Sequence, residues 1–173
     1  MFTHGRLEEA ITKADRLMYM AKGHKNIVVT RWEQKQNTDK MEKRNLPQLL
    51  VVDDSEMNRE ILKEILGKEY RILEACDGEE ALKMLEQYGP EISLVLLDII
   101  MPKMDGFEVL AYMNRDKWIE DIPVIMISSE GSESYIRRAY ELGASDYISR
   151  PFDAKVVYQR VINMIKLYAK QSV

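Results

Sequence analysis

Leu94-Val95-Leu96-Leu97-Asp98-Ile99-Ile100-Met101-Pro102-Lys103-Met104-Asp105-Gly106 is the stretch on which the reading of the fold turns. Four consecutive large apolar residues run into an aspartate, two more apolar residues follow, and a proline and an Asp-Gly pair then mark a turn. An unbroken apolar run bounded by turn residues predicts a strand buried on both faces, as in the middle of a parallel sheet. Asp98 then lies where that strand ends. In open α/β sheets ligands bind at the carboxyl ends of strands. A carboxylate at the lip of a buried strand is costly unless something uses it.

The same pattern recurs on both sides of this stretch. Leu49-Leu50-Val51-Val52 ends in Asp53-Asp54, and Pro123-Val124-Ile125-Met126-Ile127 ends in Ser128-Ser129. Tyr70 to Ala75 reads as a strand nearer the sheet edge, and Asp146-Tyr147-Ile148-Ser149 as a short strand ending in Arg150-Pro151-Phe152. Between them lie helical patterns. Ser55 can cap a helix with Met57, Ile61, Leu62, Ile65 and Leu66 on its apolar face, stopped by Gly67. Asp77 and Glu80 suggest a capping box before Ala81, Leu82 and Leu85. Phe107, Leu110 and Ala111 predict the inner face of a third helix. Tyr135, Ile136, Ala139, Tyr140 and Leu142 predict a fourth, closed by Gly143, and Val157, Val161, Ile165 and Tyr168 a fifth that starts at Asp153. β-α repeated five times predicts a doubly wound five-stranded parallel sheet of the flavodoxin-like kind.

Upstream, the chain changes character. Residues 1–46 hold ten Lys and Arg against six Asp and Glu, whereas residues 47–173 hold 15 against 23. Leu7 to Lys22 has helical spacing with Leu7, Ala10, Ile11, Ala14, Leu17, Met18 and Ala21 on one face. Gly23 ends it, and Ile27 to Thr30 reads as a strand. Residues Glu33 to Asn45 are polar and without apolar period, and Pro47 closes them. The expected division is a helix–strand extension over residues 1–32, a linker or polar helix extension over 33–46, and the main domain over 47–173.

Composition removes several classes of function. A net charge of −4 gives no reason to expect direct DNA binding. The single cysteine, Cys76, excludes an internal disulfide and fits a reducing cytoplasm. No apolar run approaches the roughly 20 residues of a membrane span, and the N-terminus lacks the apolar core of a signal peptide. His4 and His24 show no metal-ligand spacing, and Cys76 has no apparent base to activate it.

The special polar groups Asp53, Asp54, Asp98, Ser128 and Arg150 all fall at the same end of their strands, where a doubly wound sheet gathers them into one crevice. Crowded carboxylates repel one another, and a divalent cation removes the conflict. Mg²⁺ prefers carboxylate oxygens and is commonly completed by phosphate. A carboxylate beside it is a nucleophile toward phosphorus, and a hydroxyl and a guanidinium suit the added phosphoryl oxygens.

This constellation closely resembles the receiver domain of two-component response regulators over residues 47–173. The resemblance rests on the acidic pair, on Asp98 with Met101-Pro102 and Asp105-Gly106, on the hydroxyl after the fourth strand and on the basic-Pro-Phe after the fifth. It implies a phosphorelay module, not an enzyme, that takes a phosphoryl group on Asp98 from a sensor histidine kinase or phosphotransfer protein. Asp54 and Asp98 are implied as direct Mg²⁺ ligands, Asp53 largely through water, and Ile100 through its backbone carbonyl. Ser128 is implied as the switch hydroxyl, Ser129 as an N–H donor, Tyr147 as the aromatic switch, and Arg150–Pro151 as a cis peptide. The resemblance implies a switched protein-interaction face over the fourth helix, fifth strand and fifth helix, open to partners or to a second copy; the mixed charges near it, Arg137, Arg138, Asp146, Lys155 and Arg160, read as ordinary solvated surface. The downstream effector is not named by the residues.

One departure stands out: Arg150 occupies the place where the family carries lysine. It favours an alternative, a pseudo-receiver that binds partners without phosphorylation. An aspartate-nucleophile phosphatase is disfavoured, because it needs a second carboxylate two residues after the nucleophile and position 100 is Ile. Apolar Ile100 further predicts slow hydrolysis of a phosphoryl group. A second resemblance is local. Ala14-Asp15-Arg16-Leu17-Met18-Tyr19-Met20-Ala21-Lys22, with Lys25-Asn26 and Val28-Val29, resembles the last helix and strand of a GGDEF diguanylate cyclase domain. The Gly-Gly-Asp/Glu-Glu-Phe turn is absent from the sequence, so a docking or oligomerising helix is expected there rather than cyclase activity.

Overall fold

The computed structural model describes residues 33–38, 40–41 and 45–171. The helix expected over Leu7–Lys22, the strand at Ile27–Thr30 and the GGDEF-like segment lie outside the described residues. The chain divides into two compact units, Met1–Asn45 and Leu46–Val173. In the first, residues 33–38 and 40–41 are helical and exposed, with the Thr38 hydroxyl donating to the Gln34 carbonyl at 2.7 Å.

The second unit alternates strand and helix throughout: β1 Gln48–Val52, α1 Glu56–Leu66, β2 Arg71–Ala75, α2 Gly78–Tyr88, β3 Ile92–Asp98, α3 Gly106–Arg115, β4 Val124–Ser128, α4 Glu133–Glu141, β5 Asp146–Ser149 and α5 Ala154–Gln171. Short 3₁₀ turns precede β3 and follow α3. The sheet is parallel, in the order β2-β1-β3-β4-β5. The order reverses between β1 and β3, and a doubly wound sheet opens its binding crevice at that switch point.

The pleat of β3 explains its apolar run. Leu94 and Leu96 face a layer built with Leu62 and Leu66 of α1 and Val157 and Val161 of α5. Val95 and Leu97 face the opposite layer, with Leu85 of α2, Leu110 and Met113 of α3 and Ala139 of α4. Each buried Leu or Val contributes about 1.5–3 kcal/mol, and β3 is covered on both sides.

Local signals set the helix starts. Ser55 accepts from the Asn58 N–H and caps α1. Asp105 and Glu108 form a complete capping box on α3. The box expected at Asp77 is only half made: Asp77 accepts from the Glu80 N–H, but the Glu80 carboxylate takes the Cys76 N–H and thiol instead of closing on Asp77.

Several inward assignments are corrected. Met57 and Ile61 are exposed on α1, and Tyr140 is exposed on α4. Ala111 is exposed on α3, where Val109 and Met113 are buried in its place. In each case the apolar stripe is wider than the strip of helix that reaches the sheet. No helix among the described residues is long and apolar enough to cross a membrane.

Candidate functional site

Asp53 lies one residue past β1, Asp54 follows it, and Asp98 is the last residue of β3. Register pairing of Val52 with Leu97 aligns the two strand ends. One carboxylate oxygen from each of the three aspartates lies within 4.8 Å of the others. Asp53 is 1% exposed and Asp98 7% exposed, whereas Asp54 is open to solvent.

Asp53 is held from several directions. Its Oδ1 accepts from the Ser55 N–H at 2.8 Å and from Asn58 Nδ2 at 3.4 Å. Its backbone carbonyl accepts from Arg59 Nη1 at 2.7 Å, and Arg59 is itself fixed by Glu74 at 3.1 Å. Its Oδ2 takes Arg150 Nη2 at 2.5 Å. The second nitrogen of that guanidinium, Nη1, reaches Asp98 Oδ1 at 3.3 Å. Arg150 therefore spans two buried carboxylates from the end of β5. Burial and the neighbouring Asp53 charge push the Asp98 carboxyl up to about 6, against the opposing pull of Arg150.

The turn after Asp98 is shaped by Gly106. Its N–H donates to the Ile99 carbonyl at 2.8 Å. A Cβ there would overlap the Asp98 carbonyl oxygen and meet Ile99 Cα at 2.8 Å. Only glycine lets α3 begin this close to the strand end.

Ser128 follows Ile127, the register partner of Asp98. It is fully buried, and its hydroxyl accepts from the Glu130 N–H at 3.1 Å. The carbonyl of the same Glu130 accepts from the Tyr147 hydroxyl. Tyr147 is buried on β5, and burial raises its phenol above the usual range. Arg160 on α5 donates to the Tyr147 carbonyl at 2.9 Å and to Asp146 at 3.3 Å. Ser129 and Ile100 are exposed beside the crevice, and the Arg150–Pro151 peptide is cis.

Sequence reasoning thus named Asp53, Asp54, Asp98 and Arg150, which come together at the strand ends. It missed Asn58 and Arg59, which position Asp53 from the first turns of α1. Their spacing from Asp53, five and six residues along a capped helix, is the signal that could have found them. It also treated the surface charges as one group. Arg137 pairs with Glu133 along α4 at 2.7 Å, and Arg138 lies 4.4 Å over the Phe107 ring. Cys76 is exposed, and its bond to Glu80 raises the thiol, in keeping with an inert residue.

Residues 49–162 match the family described as the response regulator receiver domain. The chain belongs to that family. This receiver domain is 37% identical over 119 residues to the chemotaxis protein CheY of Halobacterium salinarum, covering 68% of this chain and 96% of that one. It is similar to CheY in the CheX–CheY–BeF3–Mg²⁺ complex from Borrelia burgdorferi, with 36% identity, a TM-score of 0.63, and coverage of 70% and 96%. It is also similar to a structure described as a "probable two-component system response regulator/GGDEF domain protein", with 30% identity, a TM-score of 0.67, and coverage of 73% and 52%. Against longer curated relatives the chain spans only 8–25% of their length.

The donor set fits a hard divalent cation. Three carboxylates supply oxygen ligands alone, and Asp54 has no hydrogen-bond or ion-pair partner among the described residues. Mg²⁺ and Ca²⁺ select such oxygen sets, and Mg²⁺ needs only one or two protein carboxylates.

Proposed function

We propose that this receiver domain takes a phosphoryl group onto Asp98 from a phosphohistidine of a sensor histidine kinase or phosphotransfer protein. The observation that carries the reading is the convergence of Asp53, Asp54 and Asp98, with Arg150 between two of them. An Asp98 carboxylate oxygen attacks phosphorus, the P–N bond breaks, and the imidazole leaves with the electron pair. Asp54 and Asp98 would hold Mg²⁺ directly, Asp53 through water, and Ile100 through its carbonyl. When bound, the ion neutralises the crowded carboxylates and the phosphoryl oxygens. Arg150, the Ser128 hydroxyl and the Ser129 N–H are the donors this chain offers to the transferred group.

The switch follows from the bonds around Glu130. A rotation of the Ser128 hydroxyl toward the phosphoryl oxygens would disturb the bond it accepts from the Glu130 N–H, and the Glu130 carbonyl is the acceptor for Tyr147. A change at residues 128–130 thus reaches β5, and through Arg160 it reaches α5. The altered α4–β5–α5 face would contact the effector or a second copy. The segment 1–32 is read as a GGDEF-like remnant serving as a docking helix and strand, 33–46 as its connection, and 47–173 as the receiver, working in the cytoplasm.

Transfer from a radiolabelled phosphohistidine on a phosphotransfer protein tests this reading. The label should move to the full chain in Mg²⁺ and not to Asp98→Asn. Transfer that persists in Asp98→Asn would refute it, and no transfer from any donor would favour the pseudo-receiver.

A further inference from the structure

Arg150 does more than wait for a phosphoryl group. Its two terminal nitrogens occupy oxygens of Asp53 and Asp98, two of the three carboxylates that would hold the cation. The Arg150 side chain is 17% exposed and that of Asp53 is 1% exposed, so water screens this pair poorly. Asp53 spends its other oxygen on Ser55 and Asn58. A cation arriving at Asp54, the open member, therefore meets two carboxylates that already share one positive charge.

We infer that Arg150 is a built-in counter-cation that competes with the divalent ion for Asp53 and Asp98. Resting on the metal reading above, this makes Arg150 a determinant of cation affinity as well as a phosphoryl ligand. The fork geometry is essential to it. A guanidinium holds two carboxylates at fixed spacing, whereas an ammonium is a point charge on a flexible stem. Arg150→Lys keeps the charge and removes the fork. Cation entry, in turn, frees the guanidinium for the phosphoryl oxygens.

The test is a Mg²⁺ titration by calorimetry of the full chain, of Arg150→Lys and of Arg150→Gln at one ionic strength. The expected result is tighter binding by about tenfold in Arg150→Lys, the scale of one charge-assisted hydrogen bond, and tighter still in Arg150→Gln. Thermal unfolding supplies a second readout. Without added cation Arg150→Gln should melt below the parent, because two buried carboxylates lose their counter-charge, and Mg²⁺ should raise its melting point more than the parent's. Equal Mg²⁺ affinity in the parent and Arg150→Lys overturns the competition and leaves the metal site standing. Lack of Mg²⁺ binding in all three proteins overturns the metal site, and the competition with it.

Discussion

The two ends of the same parallel strands differ in how they treat buried polar groups. Among the described residues of the receiver unit, Gln48 is a buried polar residue at the amino end of β1, and Asp53, Asp98 and Ser128 are buried at the carboxyl ends. Each of the three at the carboxyl ends has hydrogen-bond partners: Arg150, Ser55 and Asn58 for Asp53, Arg150 for Asp98, and the Glu130 N–H for Ser128. Gln48 leaves its Nε2 without a partner. The bodies of β1, β3 and β4 between are apolar on both faces. The contrast teaches that polarity is concentrated where charge is to be handled, while an isolated amide at the other end is simply a cost.

The largest expected effect lies at the turn that holds the carboxyl end in place. Gly106→Ala forces a Cβ onto the Asp98 carbonyl, so the strand end or α3 must move. A loss of about 3 kcal/mol is expected in denaturant unfolding, the upper range for overpacking. An unchanged midpoint would show that the close approach is not needed.

Next is the charge itself. With its folded pKa at about 6, Asp98 binds a proton in the fold that the unfolded chain, titrating near 4, has released. Below the unfolded pKa both states are protonated and the fold suffers no penalty. As pH rises through the window from about 4 to about 6 stability falls, and above it the loss is complete. Asp98→Asn should therefore be more stable than the parent at pH 7 in chelator by about 1–2 kcal/mol, discounted for the solvent at the mouth. The difference should vanish near pH 4. A constant difference across that range would contradict the electrostatic origin.

A smaller effect is expected at the rim. Ile100 is 56% exposed beside Asp98 and presents an apolar surface to attacking water. Ile100→Asn should hydrolyse the aspartyl phosphate about fivefold faster, roughly 1 kcal/mol of barrier, as followed by phosphate release. The smallest effect belongs to the amino end: Gln48→Met removes the orphaned amide at nearly constant volume and should stabilise by about 0.5–1 kcal/mol.

Much of this contrast was legible in the residues. Apolar runs of four or five ending in Asp or Ser define buried strands with polar tips. β1, β3 and β4 lie where those runs do, and the acids meet as their shared strand-end position requires. Helix faces were less legible. Met57, Ile61, Ala111 and Tyr140 fit an apolar period, but period alone does not say which edge of the stripe meets the sheet. The span of Arg150 across Asp53 and Asp98 was hidden for another reason. It joins residues 97 and 52 positions apart, and side-chain reach decides it.

The central claim is that the gathered carboxylates make Asp98 a phosphoryl acceptor. Peptide mass spectrometry after exposure of the full chain to a small acyl-phosphate donor in Mg²⁺ tests it most directly. One base-labile phosphoryl group on Asp98 is expected, not formed in chelator and absent from Asp98→Asn. Modification at another residue, or none on Asp98 in Mg²⁺, would contradict it.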